Sequence, residues 1–201
     1  MAQIEFWYEF ASTYSYLTAM RIEAAAEEAG VEVVWRPFLL GPIFHAQGWD
    51  SSPFNIYPEK GRYMWRDMER QCTALDLPLT RPDPFPQNGL LAARIAQIGL
   101  ADGWGVAFSK SVYASEFGAG RDISDAHVLG ALIEGLNLGL DAAETIERAG
   151  SAENKLALRT ATEEAQERGI FGAPTFVTAD GELFWGNDRL EIALHWATTY
   201  G

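Results

Sequence analysis

Thiols are nearly absent: the 201 residues contain one cysteine, Cys72. No disulfide can form within the chain, and no zinc site of the Cys-x-x-Cys kind is available. The three histidines, His45, His127 and His195, are scattered and match no metal-binding spacing such as His-Glu-x-x-His. No GxSxG elbow, Walker loop or dinucleotide fingerprint occurs. Positive charge is also scarce, with 15 Lys and Arg against 28 Asp and Glu and a net charge of −13. That balance argues against nucleic-acid backbones and anionic membrane surfaces as partners. No apolar run approaches the ~18 residues of a spanning helix. The opening "MAQIEFWYEF" has no basic stretch ahead of an apolar one, so no signal peptide is expected and a soluble, cytoplasmic protein is the default.

Apolar side chains are abundant, at 48% hydrophobic and 12% aromatic residues, enough for a substantial core. The length fits one ordinary domain, or a small domain carrying an insertion. In the first ten residues Ile4, Phe6, Tyr8 and Phe10 alternate with Glu5, Trp7 and Glu9, the period of a strand. A helix follows over about 14–29, with Leu17, Met20, Ala24 and Ala25 on one stripe and Gly30 as terminator. "VEVVW", 31–35, reads as a second strand, parallel to the first through a right-handed crossover.

From about 40 to 165 the pattern changes. "LGPIFHAQGWDSSPFNIYP" reads as a loop. Helices are expected at roughly 59–76, 87–101, 104–117, 125–138, 141–149 and 152–168. In the first of these Trp65, Met68, Cys72 and Leu75 share a face, which makes Cys72 a buried packing residue. Asp141 and Glu144 have capping-box spacing. The end returns to strands, 174–178 and 182–185, around the turn Ala179-Asp180-Gly181. "NDRLEIALHWATTY" reads as a closing helix with Asn187 or Asp188 as its cap.

The order β-α-β, helical block, β-β-α is that of a thioredoxin-like fold. Neither terminal part can bury a core alone, so residues 1–40 and 166–201 form one discontinuous domain, with 41–165 as an inserted helical domain.

Ser12-Thr13-Tyr14-Ser15 stands where thiol oxidoreductases of this fold carry Cys-x-x-Cys, and "GAPTFV", 172–177, resembles the loop that carries the fold's cis-proline, here Pro174. The inserted helices resemble the DsbA-like branch of α/β thioredoxin-like folds. Within that branch "FASTYSYL", "NIYPEKGRYMWRD", "FPQNGLLAARIA", "GRDISD" and "GELFWGNDRLE" together resemble the 2-hydroxychromene-2-carboxylate isomerase family, kin to kappa-class glutathione transferases. The resemblance spans nearly the whole chain, and "GELFWGNDRLE" is its most specific element.

The resemblance implies glutathione as cofactor. Ser12 or Ser15 is expected to cap the first helix, and the resemblance adds a compatible role for Ser12, holding a bound thiolate beside that helix's unpaired N–H groups. It implies that Ala173, before Pro174, pairs with the cysteinyl backbone of glutathione, as an added strand. Asn187 and Asp188, ahead of the last helix, would recognise the γ-glutamyl end, with Asp188 meeting its ammonium and the N–H groups of the helix N-terminus meeting its carboxylate. Arg189 is either a further carboxylate partner or a solvated charge. Lys60 is a candidate for the glycyl carboxylate. The family often has proline where Thr13 stands and asparagine where Ser51 stands. Ser15 is read as structural, and so are Asn88, Arg94, Arg121 and Asp122, with Lys60 and Arg94 open as partners of a substrate carboxylate.

The implied activity is isomerisation of 2-hydroxychromene-2-carboxylate-like aromatic hydroxy acids to the trans-o-hydroxybenzylidenepyruvate type by reversible thiolate addition. The alternatives are a kappa-like glutathione transferase and a DsbA-like binding module without chemistry. Dimers are common in the family, so a homodimer is an expectation.

Overall fold

In the computed structural model, residues 2–201 are described. The opening alternation becomes β1, Ala2–Tyr8, and Ser12 caps α1, Thr13–Ala29. Gly30 ends α1 at φ 68°, where a residue with a Cβ would be strained, and its N–H reaches Ala26 O and Glu27 O. β2, Val31–Pro37, then runs parallel to β1, with Ala2 opposite Val31 and Tyr8 opposite Pro37.

The segment read as a loop contains two short helices, α2, Leu40–Ala46, and α3, Pro53–Ile56. Pro53 occupies the first turn of α3, where its missing N–H costs nothing, and the Ser52 hydroxyl accepts from Phe54 N at 3.3 Å. The helical block continues with α4, Pro58–Ala74; α5, Leu90–Ala101; and α6, Gly105–Tyr113. It closes with α7, Ala126–Gly135; α8, Ala142–Ala149; and α9, Ala152–Glu167. Three details differ from expectation. α5 starts at 90 rather than 87, because Asn88 Oδ1 accepts from Leu90 N at 3.0 Å and so sits ahead of the helix. The stretch after α6 is a π-helical turn, Ala114–Gly118, rather than more α-helix. On α4 the buried residues are Gly61, Met64, Met68 and Cys72, while Leu75 is exposed. Burial pushes the Cys72 thiol up to about 11, as suits a packing residue.

β3, Thr175–Thr178, is antiparallel to β1, pairing Phe6 with Phe176, and β4, Leu183–Trp185, pairs with β3 across the expected turn. The four strands lie in the order β2-β1-β3-β4. A 3-10 turn, Asn187–Arg189, leads into α10, Leu190–Thr199.

Both sheet faces are covered. On one, Phe6 packs edge-on against Trp35 at 4.9 Å and stacks on Phe176 at 5.9 Å. This core extends without a break through Leu17 and Ile22 of α1 into Met68, Ile95, Phe108 and Leu129 of the helical block. A smaller core on the other face gathers Trp7, Phe38, Ile43, Ala165, Ile170 and Val177. Together they fix the ends of β1, β3 and α1 at the mouth of one large cleft.

Candidate active site

The cleft has a volume of about 1170 Å³ and opens where β1 passes into α1. Ser12 is half-buried there, in extended backbone at φ −85° and ψ 113°. Its Oγ accepts from Ser15 N at 3.2 Å, which caps α1. The same hydroxyl donates to Ala173 O at 2.9 Å, so α1 is tied to the Ala173–Pro174 loop. The Ala173–Pro174 peptide is cis. Among the described residues, the N–H groups of Thr13, Tyr14 and Ala173 donate to nothing within the chain. An uncovered helix start of this kind presents partial positive charge and suits an anion.

Beyond Pro174, Gly186 N donates to Pro174 O at 2.9 Å, which sets the turn carrying Asn187 and Asp188 against the loop. Gly186 has φ 114°, and a Cβ there would lie 2.6 Å from Asp188 Oδ1. Neither Asn187 nor Asp188 caps a helix, contrary to expectation. Asn187 is buried and its amide is bound elsewhere. Its Oδ1 accepts from Thr18 Oγ1 at 3.1 Å and Arg21 Nε at 3.0 Å, while its Nδ2 donates to Gln71 Oε1 at 3.0 Å. Those distant bonds win over local capping, and the chain enters α10 through the 3-10 turn. Asp188 is exposed at the cleft edge, with Arg189 Nη2 3.6 Å away.

One face of α4 supplies another wall. Lys60, Tyr63, Asp67 and Gln71 all line the cleft, at spacings that keep them on one side of a helix. Lys60 is exposed, and its Nζ sits 5.1 Å from the centre of the Tyr57 ring. Asp67 accepts from Tyr14 Oη at 2.9 Å and from Gln71 Nε2 at 2.6 Å. Burial, followed by the Asp67 contact, raises the Tyr14 phenol above its ordinary range, so Tyr14 stays a neutral donor. A continuous polar seam therefore runs from Tyr14 through Asp67, Gln71 and Asn187 to Arg21.

The segment 85–90 completes the enclosure, with Gly89 beside Glu9. Glu9 O accepts from Ser12 N at 3.1 Å and Tyr113 Oη at 2.9 Å. Burial pushes the Glu9 carboxyl up to about 7, against a smaller opposing effect of a bond from the Ala11 backbone.

Ser12, Lys60, Ala173, Pro174, Asn187 and Asp188, far apart in sequence, thus border the same cleft. Ser51 and Asn88 also border it, whereas Arg94, Arg121, Asp122 and Arg189 do not. Asn55 Nδ2 donates to Ser51 Oγ at 3.2 Å and Phe85 O at 3.0 Å, stapling two cleft loops. Glu9, Tyr14, Asp67 and Gln71 were not picked out from the sequence. The signal for the last two was the polar repeat at 60, 63, 67 and 71 on the face of α4 away from its apolar stripe.

Among the described residues, no group of three or more His, Cys, Asp or Glu is arranged to hold a metal, and no helix is long and apolar enough to cross a membrane.

Comparison with known proteins gives a consistent picture. The model of the DSBA-like thioredoxin domain matches residues 3–195. A 2-hydroxychromene-2-carboxylate isomerase from Sphingobium xenophagum is 31% identical over 190 residues, covering 94% of both chains. Human glutathione S-transferase kappa 1 is 23% identical over 203 residues, covering 96% of this chain and 89% of that protein. A solved 2-hydroxychromene-2-carboxylate isomerase superposes with a TM-score of 0.85 at 26% identity, covering 98% of this chain and 94% of the other.

Proposed function

The chain belongs to the DSBA-like thioredoxin-domain family, in the group of the 2-hydroxychromene-2-carboxylate isomerases, and from that premise we propose that it is a glutathione-dependent isomerase of aromatic hydroxy acids of the 2-hydroxychromene-2-carboxylate kind. The observation that carries the proposal is the junction at Ser12: a hydroxyl and the unpaired N–H groups of Thr13 and Tyr14 border a cleft, with the Ala173–Pro174 loop beside them.

Glutathione, when bound, supplies a thiolate that adds reversibly to a conjugated double bond, so that the bond can rotate before the thiolate leaves. The protein's own residues stabilise the anion. The partial charge of the α1 N-terminus lowers a neighbouring thiol's pKa. The Ser12 hydroxyl, which donates to Ala173 O at 2.9 Å, would hold the thiolate by a charge-assisted hydrogen bond in place of that neutral one. Ser12 in place of cysteine means that no mixed disulfide forms there.

The remaining groups fit the rest of the tripeptide. The free N–H of Ala173 suits the cysteinyl main chain. Asp188 suits the γ-glutamyl ammonium, and the N–H groups of Asn187 and Asp188 suit its carboxylate. Asn187 acts here through its backbone, because its amide is occupied. Lys60 suits the glycyl carboxylate. At about 1170 Å³ the cleft exceeds the roughly 300–1,000 Å³ of a typical single-ligand pocket, leaving room for a second, planar molecule. A reduced thiol cofactor also fits the cytoplasm, where glutathione is kept reduced. A homodimer is the assembly we expect.

The kappa-transferase relative makes conjugation the second reading, since both chemistries use the same thiolate site. Incubation with glutathione and 2-hydroxychromene-2-carboxylate separates them. The isomer with glutathione unconsumed supports the proposal, a stable thioether supports the transferase, and binding without product leaves a binding module.

A further inference from the structure

Behind one wall of the cleft lies a second carboxylate. Glu116, in the π-helical turn, is 0% exposed, and neither of its carboxylate oxygens has a partner among the described residues. Burial is the main cause that holds it well above the carboxylate range, followed by the charges of Glu9 and Asp122. The Glu9 carboxyl accepts from the Ala11 backbone N–H and has Gly89 beside it, and the charge of Glu116 in the π turn acts on it; Ser12 N and Tyr113 Oη of α6 bond the main-chain O of Glu9 instead. None is a cation, and no ion pair of Glu9 or Glu116 occurs among the described residues.

Two further observations tie this pair to a ligand. Gln87 is 6% exposed; its Oε1 is fixed by Ile123 N at 2.8 Å, and its buried Nε2 has no partner at the cleft wall. A Cβ on Gly89 would lie 3.3 Å from Glu9 Oε1, so glycine leaves that side of the carboxylate uncovered. The Glu9 main-chain O is held by Ser12 N and Tyr113 Oη, which fixes the backbone of Glu9 at the Ser12 junction.

We infer that Glu9 is the acid–base group of the cleft: it takes the proton of the substrate's hemiketal hydroxyl and returns it to the phenolic oxygen released as the ring opens. The inference rests on the isomerase proposal. The hydroxyl O–H bond breaks and its electron pair forms the ketone, the ring C–O bond breaks toward the aromatic oxygen, and that oxygen receives the proton from Glu9. No proton or electron is gained or lost overall. Burial holds the Glu116 carboxyl well above the usual carboxylate range, which disfavours a second negative charge beside Glu9. A carboxyl poised near neutrality is suited to both halves of the shuttle.

The test is Glu9→Gln, with Glu9→Asp as the variant that retains a carboxyl. In the wild type, kcat for isomerisation should rise through a limb near pH 7. Glu9→Gln should lower kcat about 100-fold and remove the limb, while Glu9→Asp should keep it. Glutathione affinity by titration calorimetry should change less than about twofold in both. Without substrate, infrared difference spectra across neutral pH should show a protonated-carboxyl band that titrates in the wild type and is diminished in Glu9→Gln. An unaltered band or a surviving limb in Glu9→Gln overturns the inference alone. Loss of glutathione binding by the wild type would instead fail the isomerase proposal.

Discussion

Two groups of buried or half-buried polar residues border the same cleft, and they are bonded in opposite ways. In the seam from Tyr14 through Asp67, Gln71 and Asn187 to Arg21, donors and acceptors are matched within the chain at 2.6–3.0 Å. In the other group, both Glu116 carboxylate oxygens and the Gln87 amide nitrogen have no partner among the described residues, while the Glu9 carboxyl accepts from the Ala11 backbone. A buried polar group left unmatched costs roughly 1–3 kcal/mol. The matched seam fixes where α1, α4 and the 186–189 turn sit. The unmatched set is kept at a cost to stability, as is common where a protein holds groups ready for chemistry. Ser12 joins the two, since it caps α1 and its N–H holds Glu9 O.

The largest expected effect is at that junction. Ser12→Ala should lower kcat/KM for the proposed glutathione-dependent reaction by about 100- to 1,000-fold, the usual loss when one oriented donor to a developing anion is removed. The fold should persist at a cost of about 1 kcal/mol for the lost cap. Steady-state kinetics beside a urea melt separates the two effects. Unchanged turnover would take Ser12 out of the chemistry and leave it only as a cap.

The seam should break differently. Asn187→Ala leaves the Gln71 carbonyl without its donor and removes an acceptor of Arg21 and one of the two acceptors of the buried Thr18 hydroxyl. The expected loss is about 2–3 kcal/mol of stability, read as a lower urea midpoint. If the midpoint fell by less than about 0.5 kcal/mol equivalent, the contrast between matched and unmatched sets would lose its basis.

The unmatched set should instead show itself through pH. Glu9 is raised from 4.5 to about 7 on folding. Below the unfolded value both states hold the proton and the contribution is fully present. As pH rises toward the folded value, the unfolded chain ionises first, so folding binds more protons and stability falls. The fall attributable to Glu9 is up to about 3 kcal/mol, an upper bound because the side chain keeps some contact with the cleft. Glu116, raised in the same direction by burial, contributes to the decline with the same sign. Urea midpoints of Glu116→Gln and Glu9→Gln measured across this range should decline less steeply than the wild type.

The sequence made the frame of the fold legible and much of this contrast invisible. β1, α1, β2 and the β3–β4 hairpin follow from short-range alternation and punctuation. Gly30 and Gly181 end elements at positive φ, as local chemistry requires. Ser12, Pro174 and Lys60 stand out because motifs place them. α2 and α3 were hidden by their Gly and Pro content, and the π turn continues the periodicity of α6. The role of Asn187 was hidden for a different reason: its partner Gln71 lies 116 residues away, and Tyr14 and Asp67 are 53 apart. A local rule makes Asn187 a helix cap, and only the folded chain brings up the side chains that outcompete it. The Glu9–Glu116 pair is likewise made by tertiary packing of the π turn.

The smallest predicted effect tests whether an exposed residue belongs with either set. Lys60 is a solvent-facing charge with an aromatic neighbour and no acidic partner among the described residues. An exposed ion pair is worth about 0.2–1 kcal/mol, so Lys60→Gln should weaken glutathione binding by roughly 1.5- to 5-fold. Stability should stay within about 0.5 kcal/mol of the wild type, since no buried bond is broken. The difference in affinity should shrink as salt rises, because screening acts on an exposed pair far more than on the donors beside Ser12. A loss of affinity that salt leaves untouched would mean that Lys60 acts through its packing on Tyr57 and the start of α4. It would then belong with the seam that shapes the cleft, and the glycyl carboxylate would need another partner.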